Sequence, residues 1–206
     1  MDIIKKYFAD LTAKQESQYS ALQDLYADWN TKINLISRKD AGNLYERHVL
    51  HSLGIAKIIR FIPGTSILDV GTGGGFPGIP LAILFPRVRF VLLDGTEKKI
   101  KATEDIARQA GLENVECCHA RVEEEKRFFD FVVSRAVMPL QELVRIARKN
   151  VSRKQQNAFP NGFISLKGGD LQEEIKPFKN LAVEYLLSDY FEEDFFKTKK
   201  VIFLPN

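Results

Sequence analysis

Two aspartates and five glycines stand where a ligand could be held. The stretch LDVGTGGGFPGIPLA, residues 68–82, carries Asp69, Gly71, Gly73, Gly74, Gly75 and Gly78, and Asp94 closes the later run RFVLLD. Glycines without a Cβ let the backbone approach a ligand closely, and such a turn can serve a dinucleotide, a phosphate or S-adenosylmethionine. Gly73-Gly74-Gly75-Phe76-Pro77-Gly78 fits G-x-G-x-x-G, with Asp94 about 20 residues on, as in a dinucleotide site. Two neighbours argue the other way. A pyrophosphate gathers backbone N–H groups at a helix N-terminus. Asp69 brings a carboxylate close to that place, and Pro77 has no N–H to donate. S-adenosylmethionine carries an ammonium and a sulfonium and no phosphate, so a carboxylate suits it. Asp94, at a strand end, is placed to accept hydrogen bonds from ribose hydroxyls.

Methyl transfer is an in-line displacement at the sulfonium methyl, so alignment supplies much of the catalysis. Exocyclic amine acceptors go with an Asn/Asp-Pro-Pro-aromatic motif, and here Ser134-Arg135-Ala136-Val137 takes its place. Pyrimidine C5 transfer needs a nucleophilic cysteine. Cys117 and Cys118 are adjacent on an expected strand and read as strand and core residues. Guanine N7 presents a lone pair with no proton to remove, which is consistent with this residue set. His48 and His51 lie one helical turn apart without a third ligand, and no metal is expected.

The elements that must position these residues follow from periodicity. SALQDLYADW places Leu22, Leu25, Tyr26 and Trp29 on one helix face. LYERHVLHSLGIAKII repeats the pattern with Leu44, Val49, Leu53 and Ile58. From residue 66 the pattern changes to strands at SILDV, RFVLLD, VECCH, FDFVVSRA and GFISLKG. Helices alternate with them: PGIPLAILF, EKKIKATEDIARQAG (stopped by Gly111), PLQELVRIARKNV and the short LQEEIKPF. VEYLLSDYF and KKVIFLP read as a terminal antiparallel hairpin. The expected fold is α/β, an open, mostly parallel sheet with helices on both faces. The expected division is a helical extension over 1–60 and a Rossmann-like domain over 61–206. The polar run SRKQQNAFPNG reads as a loop over the site.

With 206 residues, two cysteines and a net charge of +3, the chain reads as a single reduced globular protein rather than a disordered one. No apolar run approaches the roughly 20 residues of a membrane span, and the N-terminus lacks a secretory signal, so a cytoplasmic location is expected. The charge alone does not identify a partner. The basic residues cluster in TEKKIK, in VRIARKN with SRK, and in ISRKD, each also consistent with a solvated face.

NLISRKD, ERHVLHSL, LDVGTGGGFPGIPLA, LLDGTEKK, ARVEE, FDFVVSRAV and LKGG stand in the order found in the RsmG family, once called glucose-inhibited division protein B. The chain resembles these bacterial 16S rRNA guanine-N7 methyltransferases from about residue 22 to its end. The resemblance implies a class I S-adenosylmethionine-dependent methyltransferase fold with seven strands. It implies 16S rRNA or the small ribosomal subunit as partner, and no membrane or metal. Carried over by position, Asp69, Gly71, Gly73, Phe76 and Asp94 hold the cofactor, and Val122 and Glu123 flank its adenine. Arg135 reaches the cofactor or the target, and Asn34, Arg121 and Arg135 match positions tied to activity or RNA contact. Lys167 closes the fifth strand nearby. The family often reads D-S-L-x-K-R after the second strand, whereas Gly95-Thr96-Glu97-Lys98-Lys99 follows Asp94 here. A small-molecule methyltransferase on the same fold is the alternative.

Overall fold

The computed structural model describes residues 1–37, 40–178 and 180–206; Arg38 and Lys39 of the ISRKD cluster lie outside them. Seven apolar segments extend into strands: β1 Ser66–Val70, β2 Arg89–Asp94, β3 Val115–His119, β4 Phe131–Arg135, β5 Gly162–Gly168, β6 Val183–Leu186 and β7 Lys199–Pro205. They form one sheet in the order β3-β2-β1-β4-β5-β7-β6. β1 to β5 run parallel, and β7 enters antiparallel between β5 and β6. The order reverses between β1 and β4, so the crevice at their carboxyl ends is where a doubly wound sheet takes its ligand.

Alternation along each strand decides which core a residue enters. Ile67, Phe90, Leu92, Phe131, Val133 and Ile164 face one apolar cluster, which also holds Ile4, Tyr19, Leu22, Tyr26, Leu44 and Val49 from the N-terminal helices. Leu68, Val70, Val91, Leu93, Val132 and Phe163 face the other, closed by Leu140, Leu143 and Ala147. Asp69 therefore shares Ile67's side, facing the N-terminal helices.

The helices are α1 Asp2–Tyr7, α2 Ala13–Lys32, α3 His51–Leu53, α4 Ile55–Ile58, α5 Gly78–Leu84, α6 Glu97–Gln109, α7 Leu140–Ala147 and α8 Gln172–Ile175. Thr12 and Gln15 form a reciprocal capping box that starts α2. Polar side chains then fasten α2 across the sheet helices. Tyr19 donates to Pro80 O at 2.8 Å, and Trp29 Nε1 donates to Asp105 Oδ2 at 2.9 Å.

Two segments depart from the sequence expectation. Leu44–Leu50 is a π-helix that runs into α3. The wider coil brings residues five apart onto one face, which is why both Leu44 and Val49 are buried. VEYLLSDYF is strand only through Leu186. Leu187 turns inward, fully buried, against Gly54 and leads into a cluster with Phe191 and Phe196.

Candidate active site

The glycine turn begins where β1 ends and closes on itself. Gly71 and Thr72 donate their N–H groups to Leu93 O, Gly75 and Phe76 donate to Thr72 O, and Ile79 donates to Gly75 O. Gly73 N donates to Asp94 Oδ2 at 2.9 Å, and Gly78 N donates to Asp69 Oδ2 at 2.9 Å. Gly71 and Gly73 take φ of +67° and +58°, a region where a side chain would be strained. Pro77 stands at the N-cap of α5, and its missing N–H costs nothing there. Amides already committed to the chain are not offered to a pyrophosphate.

Asp69 is fully buried. Its Oδ2 also accepts from Thr72 Oγ1 at 2.7 Å, while Oδ1 has no partner among the described residues. Burial pushes its pKa up to about 7, against the two hydrogen bonds that favour the carboxylate. A cationic ligand nearby relieves this cost and an anionic one increases it. Asp94 is half-buried, and its Oδ1 accepts from Thr96 N at 2.8 Å. Each carboxylate oxygen has two acceptor sites, so Asp94 keeps capacity for ribose hydroxyls. These residues fit S-adenosylmethionine.

Beside the turn stands a layered group from three elements. Phe76 is 2% exposed, stacked on Tyr26 with ring centroids 4.9 Å apart. The Arg135 guanidinium lies over the same ring at 4.6 Å. Arg135 Nη2 is 3.0 Å from His48 Nδ1, and Nη1 donates to Arg47 O at 3.4 Å. A guanidinium only donates, so His48 Nδ1 accepts and the ring proton sits on Nε2. Burial, with Arg135 close by, pushes the His48 pKa down to about 4, so the ring is neutral. His48 Nε2 is itself buried without a partner among the described residues. Burial lowers Arg135 to about 10, and it makes no ion pair among the described residues. Ala136, the next residue, takes φ +53°, a conformation a non-glycine residue rarely holds outside functional or strained sites.

Phe76, read from sequence as lining the cofactor pocket, is buried under the turn as the platform for Arg135. Tyr26 and His48 were not singled out for the site. Tyr26 donates its hydroxyl to Gly74 O at 2.5 Å, so α2 holds the glycine turn directly. The signal for Tyr26 was its place on the α2 apolar face; nothing in the sequence distinguished its hydroxyl.

The remaining residues are spread along the crevice. Val122 is buried in the second core, and Glu123 beside it is exposed, its carbonyl accepting from Lys149 Nζ. Ala120 N donates to Asp94 O at 3.3 Å, bringing the end of β3 next to the second aspartate. Arg121 is exposed with no ion pair among the described residues; Arg127 takes Glu116 and Glu125 instead. Asn34 is exposed in the turn after α2. Asn30, not Asn34, fastens that turn, accepting from Leu35 N and Ile36 N and donating to Ile36 O. Leu35, next to Asn34, lies against Gly74. Lys167 donates to Met138 O at 2.6 Å and pairs with Glu174 at 2.7 Å. Burial pushes the Cys117 thiol up to about 12 and raises Cys118, which keeps both thiols protonated and poor nucleophiles.

The run SRKQQNAFPNG does not cover the site. Gln156 donates to Asp130 Oδ2, and Asn157 accepts from Ile62 N and Thr65 Oγ1. Those partners lie at the opposite, amino ends of β1 and β4. Its polar side chains tie down backbone there, which composition alone does not reveal. No helix among the described residues is long and apolar enough to cross a membrane, and no cluster of three or more His, Cys, Asp or Glu could hold a metal ion.

The family described as GidB, rRNA small subunit methyltransferase G, matches residues 15–200. A relative named ribosomal RNA small subunit methyltransferase G from Bacteroides thetaiotaomicron is 63% identical over 98% of this chain and 98% of its own length. A protein of the same name from Cytophaga hutchinsonii is 53% identical over 100% of this chain and 99% of its own. Among solved structures, a 16S rRNA methyltransferase from T. thermophilus in complex with AdoMet and guanosine is similar with a TM-score of 0.57. It is 15% identical, covering 78% of this chain and 43% of that one. A SAM-dependent methyltransferase from Aquifex aeolicus gives 0.54 at 15% identity, covering 82% of this chain and 98% of that one. The sheet order and these likenesses establish the class I methyltransferase fold. The chain belongs to the rRNA small subunit methyltransferase G family.

Proposed function

We propose that this chain transfers the methyl group of S-adenosylmethionine to N7 of a guanine in 16S rRNA, in the cytoplasm, with the rRNA free or in the small subunit. The observation that carries the reading is the glycine turn, most of whose amides are spent within the chain around a buried carboxylate. That favours a cationic, phosphate-free cofactor over a dinucleotide. The relatives' names direct the acceptor to ribosomal RNA rather than to a small molecule.

Bound here, the cofactor supplies an activated methyl on sulfur. The chain's part is alignment and charge. Asp94 and the turn hold the nucleoside, with Val122 and Glu123 at the adenine. Gly71, Gly73 and Asp69 form the floor under the methionine end. Arg135, fixed by His48 and Phe76, faces the acceptor, while exposed Asn34 and Arg121 orient RNA. Guanine N7 needs no base, and the neutral His48 and protonated thiols offer no competing nucleophile of high reactivity. Residues 1–60 serve as a helical extension on a methyltransferase domain over 61–206.

Purified protein incubated with 16S rRNA and methyl-labelled S-adenosylmethionine should yield 7-methylguanosine on nucleoside analysis. Calorimetry should show S-adenosylhomocysteine binding and none of NAD. Tight NAD binding with no response to S-adenosylhomocysteine would sink the reading.

A further inference from the structure

A cavity of about 340 Å³ lies beyond the ends of β4 and β5, within the size range of small-ligand sites, roughly 300–1,000 Å³. Val137 is a wall it shares with the glycine turn. A Cβ on Gly71 would come 2.6 Å from the Val137 methyl carbons, and Val137 lines the cavity. Val137 and Met138 add apolar surface over buried Leu166 and Leu171, and His51, Lys167, Glu174 and Lys199 supply the polar groups.

The chain leaves part of this polar set unsatisfied. Glu174 Oε1 accepts from Leu140 N at 2.7 Å and from Lys167 Nζ at 2.7 Å, which fills its two acceptor sites. Oε2 makes neither bond and keeps both of its own. Lys167 is 10% exposed and is consumed by Glu174 and Met138 O. Lys199 Nζ, by contrast, forms no ion pair among the described residues and lies over the Phe195 ring at 4.8 Å, beside Gly168. His51 is 7% exposed, with Nε2 buried and without a partner among the described residues.

We infer that this cavity receives the target guanine itself, with Glu174 Oε2 accepting from the donor edge of the base, N1–H and N2–H. The assignment rests on the rRNA guanine reading above. Guanine has apolar faces for Val137 and Met138. Its donor edge lies across the ring system from N7, so seating that edge on Glu174 leaves N7 on the side of the cavity that borders the glycine turn beside Val137. O6 accepts from Lys199. Adenine has neither N1–H nor N2–H and places an N–H₂ where guanine has O6, so both Glu174 and Lys199 would be left unpaired against it. Glu174 is thereby a specificity-determining residue for the base.

The test compares transfer to 16S rRNA carrying guanosine or inosine at the methylated nucleotide, first located by mass spectrometry. Inosine keeps N1–H, O6 and N7 but lacks the N2 amine. Wild-type protein should prefer guanosine by roughly tenfold or more, the effect of one hydrogen bond to a charged group. In Glu174→Gln the side-chain oxygen must stay with Leu140 N and Lys167, which turns the amide N–H₂ toward the base. The preference should then fall to about one or reverse. S-adenosylhomocysteine binding by calorimetry confirms that the variant is folded. A Glu174→Gln protein that keeps the wild-type preference, or loses both substrates in equal proportion, overturns the assignment. So does a wild-type preference of one, which needs no variant at all. A wild-type protein that methylates neither RNA removes the rRNA reading instead.

Discussion

Around the glycine turn the chain answers nearly all of its own hydrogen bonds. Leu93 O, Thr72 O, Asp69 and Asp94 take up the amides of Gly71, Thr72, Gly73, Gly75, Phe76 and Gly78, leaving that of Gly74 without a partner among the described residues, and Tyr26 caps the Gly74 carbonyl. A few residues away, at the ends of β4 and β5, it does not. Among the described residues Arg135 has no ion pair, His48 Nε2, His51 Nε2 and Arg47 Nε are buried without partners, and Ala136 holds a left-handed backbone. Buried groups are normally paired. On the proposed reading, the cofactor half is nearly finished before anything binds, and the acceptor half is completed by its substrate. Asp69 Oδ1 is the side-chain exception on the finished side, and it faces the problem that a cation solves.

Removing Arg135 should break the acceptor half alone. Arg135→Ala is expected to slow methyl transfer on the order of 100- to 1,000-fold, the effect of losing one preorganised charged donor. S-adenosylhomocysteine affinity should stay close to wild type and the protein should remain folded, with a lowered melting temperature because His48 Nδ1 and Arg47 O lose their donor. Single-turnover assays with calorimetry separate the two. Arg135→Lys should not rescue, because an ammonium cannot span His48 Nδ1 and Arg47 O while lying flat on Phe76.

Changes on the finished half should instead appear as stability and cofactor affinity together. A Cβ on Gly78 would collide with Leu92 and lie 2.8 Å from Asp69 Oδ2. Gly78→Ala should cost about 1–3 kcal/mol in urea unfolding and weaken cofactor binding. Tyr26→Phe leaves the Gly74 carbonyl unanswered and should cost about 1–2 kcal/mol, with a parallel loss of affinity.

Asp69 gives this half a pH dependence. Its folded pKa of about 7 lies above the ordinary aspartate value of 3.8, so the folded protein holds the proton longer than the unfolded chain. Its contribution to stability is therefore largest below pH 4 and declines as pH rises toward 7. A bound cation favours the carboxylate, so S-adenosylmethionine binding should release a proton and tighten between pH 6 and 8. Calorimetry in buffers of different ionisation enthalpy measures that release, and Asp69→Asn should abolish it. The smallest effect belongs to Arg121. Arg121→Ala should weaken rRNA binding modestly and reduce its salt slope by about one, with nucleotide choice unchanged.

The fold was legible because period-2 and period-3.6 patterns are local, and each strand from SILDV to KKVIFLP lies within its expected run. The first half of the site was legible for a similar reason. Asp69, the glycines and Asp94 are close in sequence, and their turn is made by their own neighbours. The second half depends on contacts across the chain. Arg135 meets His48 from 87 residues away, and Tyr26 meets Gly74 from 48. Neither pairing leaves a spacing signature. The π-helix that turns His48 inward is invisible to a 3.6-residue template. The packing of Phe76 was hidden for the same reason: its aromatic and cationic partners belong to α2, the π-helix and β4. The SRKQQNAFPNG loop was misplaced because polarity says that a segment meets water or backbone, and not at which end of the sheet.

The most direct test is nucleoside mapping of 16S rRNA from cells with and without this protein, by digestion and mass spectrometry. A single 7-methylguanosine should be present with the protein and absent without it, and purified protein should restore it at the same nucleotide. An unchanged set of modified nucleotides, or a lost methyl group on any atom other than guanine N7, would contradict the account.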